Sequence, residues 1–143
     1  MRSVARNWII QRKIGLISQD EIVTLADDYI ANHDEFPSWM IDISTNGSLE
    51  RERQLDIVME PITEDDCKLI AQQMIDRFSS GDICLHKLAS ACNNIYLLLE
   101  WGSAAFDQFI WISDEVAIID QGYKSEENIK INIKEALCRV IAL

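Results

Sequence analysis

Two prolines and five glycines in 143 residues leave this chain short of the material for tight turns. A many-stranded sheet reverses direction every few residues and draws on Gly and Pro to do so. The economical fold is therefore all-α, a compact single-domain bundle of about seven or eight helices over residues 1–143. Apolar residues make up 48% of the chain and charged ones 26%, the balance of a globular protein. A chain of this length buries most of its unfolded surface in one core.

Helical grammar recurs along the sequence. Arg2 to Lys13 reads as a first helix stopped near Gly15. Ser18 with Glu21 makes a capping box, and Ile22, Leu25, Ala26, Tyr29 and Ile30 follow at the spacing of one helix face. Phe36-Pro37-Ser38-Trp39 interrupts and restarts the pattern, with Pro37 suited to a first turn and Trp39, Met40 and Ile43 on one side. Ser48 to Glu60 reads as a charged helix ended by Pro61. Thr63 caps the next helix, whose stripe is Cys67, Ile70, Ala71, Met74, Ile75 and Phe78, and Ser79-Ser80-Gly81 stops it. From Asp82 to about Glu100 the chain is apolar enough on several faces to predict a central helix. Phe106 to Asp120 fits a helix starting at Ser103. It also fits a small hairpin near 109–119, with strands Phe109–Ile112 and Val116–Ile119; an isolated hairpin is marginal, so the helix is preferred. Ser125 caps a last helix with Ile129, Ile133, Ala136, Leu137, Val140 and Ile141 along its buried side.

Thirteen basic residues face twenty-four acidic ones, a formal charge of −11. Such a field repels nucleic acid and anionic lipid, because both need a basic footprint. It attracts a basic protein and accelerates the encounter, by roughly ten- to a thousand-fold at low salt. Solubility alone accounts equally well for the same surplus.

Cys67, Cys84, Cys92 and Cys138 include no CxxC pair, and each falls in or beside an apolar run where a thiol acts as a small hydrophobe. Trp8-Ile9-Ile10 is too short for a signal-peptide core, and no apolar run reaches the roughly twenty residues of a membrane span. The expected location is the cytoplasm, with reduced thiols.

Chemistry is sparse. His33 and His86 are the only histidines. Cys84-Leu85-His86 has the form C-x-H without a second ligand pair at zinc spacing, and a helix would turn its two side chains to different faces. No phosphate loop, dinucleotide fingerprint or HExxH occurs, and nothing supplies an oxyanion hole for a cysteine nucleophile. Acid pairs such as Asp27-Asp28 and Glu64-Asp65-Asp66 suit glycosidase or two-metal work. Several of them stand in first turns, where the helix dipole explains them more simply. Neither a catalytic residue, a metal ligand nor a cofactor is expected.

What remains suits protein recognition. Asp34, Glu35 and Trp39 gather acids and an aromatic at a helix junction, and Asp107, Trp111, Asp114 and Glu115 repeat the combination. Aromatics amid charge make interface hot spots. The plainer alternative makes Phe36 and Trp39 core anchors.

The segment Leu25-Ala26-Asp27-Asp28-Tyr29-Ile30, followed by Phe36-Pro37-Ser38-Trp39-Met40-Ile41-Asp42-Ile43-Ser44, resembles the N-terminal half of bacterial immunity proteins of polymorphic toxin systems, including contact-dependent growth inhibition. The likeness covers roughly the first 45 residues, and the acidic, helical remainder is compatible with it. The resemblance implies a small, cytosolic, non-enzymatic protein that binds and neutralises a cognate toxin domain. Many such toxins are basic nucleases, which would rationalise the acidity. It transfers a role and no contact residue. The seven acids and aromatics above are therefore candidates for toxin binding on their own chemistry. The alternative is a helical adaptor or regulatory subunit of a cytosolic assembly, with an enzyme third.

Overall fold

A left-handed glycine ends the first helix and shows how local sequence sets the architecture. Helix α1 (Arg2–Lys13) carries Arg12 and Lys13 in its last turn, where cations suit the carbonyl end of the dipole. Gly15 then takes φ +83°, and the amides of Leu16 and Ile17 fold back to donate to the Gln11 carbonyl at 2.9 and 3.4 Å. The protein is described by a computed structural model over residues 2–46, 62–99, 103–120, 122 and 126–143. Seven helices and no strand occur among those residues.

Helix α2 (Gln19–Asn32) opens with the expected capping box. The Glu21 amide donates to Ser18 Oγ at 3.2 Å and the Ser18 amide donates to Glu21 Oε1 at 3.3 Å. Helix α3 (Trp39–Asn46) begins two residues after Pro37, whose carbonyl accepts from the Met40 amide at 2.9 Å. Polar ties join these two helices: Gln19 Nε2 donates to the Asn46 carbonyl at 2.8 Å, and Ser44 Oγ donates to Asp27 Oδ1. Helices α1 to α3 form one compact unit. Its core holds Ala5, Trp8, Ile9, Ile17, Ile22, Ala26, Met40 and Ile43, with Leu25, Tyr29, Ile30, Phe36 and Trp39 packed against it.

A second compact unit contains helices α4 (Glu64–Ser80), α5 (Leu85–Tyr96), α6 (Ala104–Asp120) and α7 (Glu126–Ile141). Thr63 caps α4 through a second box, its Oγ1 accepting from the Asp66 amide at 3.1 Å while Asp66 Oδ2 accepts from the Thr63 amide at 2.9 Å. Gly81, at φ +82°, closes the same helix. Helix α4 packs on α7, α7 on α6 and α6 on α5, while α5 meets α4 only slightly. Cys67, Ile70, Ala71, Met74, Leu88, Cys92, Ile95, Phe109, Ile112, Val116, Ile133 and Leu137 are among the buried side chains of this unit.

Two readings of the sequence change, both on one helix, and the preferred helix over Phe106 to Asp120 holds. The helix expected from Asp82 to about Glu100 runs only from Leu85 to Tyr96. Its start is delayed because the Asp82 and Ile83 amides still donate to the Arg77 carbonyl, and Cys84 is the extended N-cap. It is also not apolar all round, since His86, Lys87, Ser90 and Asn93 face solvent. Residues 109–119 form no hairpin: α6 is continuous, with Ser103 Oγ accepting from the Phe106 amide at 3.2 Å. Phe109, Ile112 and Val116 fall on one buried face only when this segment is helical. The expected helix over 48–60 and the Ser125 cap lie outside the described residues.

Candidate functional site

The candidate acids and aromatics fall in both units. Asp34 and Glu35 are exposed in the link between α2 and α3. Just before them His33 ends α2, donating from Nδ1 to the Tyr29 carbonyl at 2.8 Å. Its ring stacks on Tyr29 at 3.8 Å, and Tyr29 meets Trp8 edge-on at 6.3 Å. The acids thus follow directly on an aromatic stack. Trp39 follows the core-anchor alternative in part, being half-buried against the core of its unit.

The other four candidates lie on α6. Asp107, Trp111 and Asp114 follow at i, i+4 and i+7, so one face carries all three. Asp107 and Asp114 are exposed and Trp111 is half-buried. Glu115 departs from them in exposure: it is buried, with 7% of its surface open. Two residues that the sequence reading passed over, Ile110 and Ile118, complete the outward stripe and are half-buried. Their signal was the same helical period, obscured while a hairpin competed for the segment. Trp101 lies outside the described residues.

A cavity of about 220 Å³ opens in the second unit, lined by Thr63, Cys67, Leu99, Ser103, Ala105 and Leu143 among others. Glu64 and Cys67 are its ionisable side chains. Burial pushes the Cys67 thiol up to about 12 from an ordinary 9.0, and the charges of Asp66 and Glu64 push the same way. A nucleophilic cysteine needs the opposite setting, an electropositive one that favours thiolate. The Cys92 thiol, fully buried, is likewise pushed upward by burial, and it donates to Met74 Sδ at 3.9 Å. Cys84 and Cys138 are exposed, which corrects their reading as buried small hydrophobes.

Cys84 is the α5 N-cap and His86 stands in the first turn, both exposed. Among the described residues no group of three or more His, Cys, Asp and Glu side chains is placed to hold a metal ion. Among the same residues no helix is long and apolar enough to cross a membrane. In comparisons with known proteins the chain matches no family model, no curated protein and no solved structure.

Proposed function

We propose that this chain is an immunity protein, acting by binding a basic toxin domain of nuclease type and neutralising it. The supporting observation is the surplus of carboxylates behind a charge of −11, several of them exposed beside aromatics, as Asp107 and Asp114 are beside Trp111. Exposed acids steer a basic partner into encounter, and adjoining aromatics supply the desolvated contact that holds it. The raised Cys67 and Cys92 thiols speak against those two as nucleophiles. The protein works in the cytoplasm, where such a toxin would arrive.

The test takes the toxin domain encoded beside this chain's gene and measures affinity by titration calorimetry. Affinity falls as sodium chloride rises from about 50 to about 500 mM, because screening removes the steering and part of the attraction. Co-expression protects cells from that toxin. Salt-insensitive binding, or a gene neighbourhood without a toxin and no protection, sinks the proposal and leaves the acidity to solubility.

A further inference from the structure

Helix α6 is built unlike its neighbours. Its charged residues are Asp107, Asp114, Glu115 and Asp120, with no lysine or arginine in the whole Ala104–Asp120 segment. The packed face carries Ala105, Phe106, Phe109, Ile112 and Val116, all buried. The opposite face should then be polar in an ordinary surface helix. Instead it carries Ile110, Trp111 and Ile118, each partly open to solvent, with exposed Asp107 and Asp114 between them.

These five side chains fall within about 100° of arc at 3.6 residues per turn, and the stripe runs for about 16 Å. That is the footprint of about three turns of a partner helix laid along α6. A second copy of this chain would bring carboxylate against carboxylate, so charge selects a different occupant. We propose that this face of α6 docks a basic amphipathic helix of the partner, its apolar side covering Ile110, Trp111 and Ile118 and its lysines or arginines meeting Asp107 and Asp114. An arginine over the Trp111 ring adds cation–π attraction. The proposal rests on the basic-partner reading above and assigns it one surface.

The probe is a synthetic Lys/Leu amphipathic helical peptide, with a Glu/Leu peptide of the same pattern as control, titrated into the isotope-labelled protein. The expected amide shifts centre on residues 107–118 for the basic peptide, with none for the acidic one. The double variant Asp107→Lys/Asp114→Lys weakens binding at least tenfold. The charge-matched double variant Asp28→Lys/Asp82→Lys, at exposed acids elsewhere, changes it less than threefold. Trp111→Gln weakens binding without the charge change, and thermal midpoints identify any variant that fails to fold. Shifts centred elsewhere, or equal losses in the two charge-matched variants, overturn this surface while leaving the basic-partner reading standing. No binding of the basic peptide, or equal binding of both peptides, overturns this surface as well, while the toxin titration decides the basic-partner reading. Concentration-dependent dimerisation through residues 107–118 of the free protein gives the face to a second copy and also overturns the proposal.

Discussion

Cys67 and Cys92 show what burial does to a single group. Each is 1% exposed or less, and each thiol is held in its neutral form because a buried thiolate loses its hydration. A folded-state value raised above the unfolded one means that the neutral thiol stabilises the fold at any pH below the ordinary 9.0. That contribution is lost as pH climbs from 9.0 towards 12. Cys84 and Cys138 are exposed and open to a reagent. With an aromatic disulfide reagent near neutral pH, two thiols are expected to react promptly and two only after denaturant is added. Cys84→Ser and Cys138→Ser should each remove one prompt equivalent. Four prompt equivalents in the native protein would mean that the core around Cys67 and Cys92 opens readily.

At the scale of the helix, ends were more legible than faces. Ser18 with Glu21 and Thr63 with Asp66 are local devices, four residues each, and both form as capping boxes. Gly81 is as readable, since φ +82° is a conformation that a β-carbon penalises. Thr63→Ala and Gly81→Ala should therefore each destabilise by about 1 kcal/mol, measured by urea unfolding. What local grammar could not fix was where α5 starts. That depends on the Arg77 carbonyl still gathering amides from Asp82 and Ile83, a hydrogen-bonding choice of the preceding turn. Periodicity alone leaves a hairpin open for 109–119, because Phe109, Ile110, Trp111 and Ile112 satisfy either period over a short run, and the helix is preferred only because an isolated hairpin is marginal. Packing decides it: Phe109, fully buried, lies on the packed face of α6 with Ile112 and Val116. Phe109→Ala should cost about 3–5 kcal/mol. For the candidate site, the same ambiguity hid Ile110 and Ile118 and made Glu115 look like a surface acid. Its 7% exposure follows from where the helix turns it, which no count of carboxylates reveals.

For the whole molecule, the charge of −11 acts on folding and on binding with opposite signs. In the free protein the surplus carboxylates repel one another, and self-repulsion works against the compact state. Ion pairs such as Arg139 with Glu135, 4.0 Å apart and both well exposed, offset little of this, because exposed pairs are weak and are screened themselves. Raising salt shortens the reach of the repulsion to about 10 Å at 0.1 M and less above it. The thermal midpoint of the free protein should therefore rise by about 2–5 °C between about 10 and 500 mM sodium chloride. A complex with a basic partner exchanges that repulsion for attraction across the interface, so over the same range its affinity should fall. Scanning calorimetry of the free protein and titration of the complex, run in the same buffers, read the two effects separately. Sulfate salts would confuse the comparison by strengthening apolar burial, so chloride is the appropriate anion. A midpoint that rises while affinity stays constant would assign the carboxylates to the free state alone. A midpoint that falls with salt would mean that attractive pairs dominate within the folded chain, and the acids would then be held for stability.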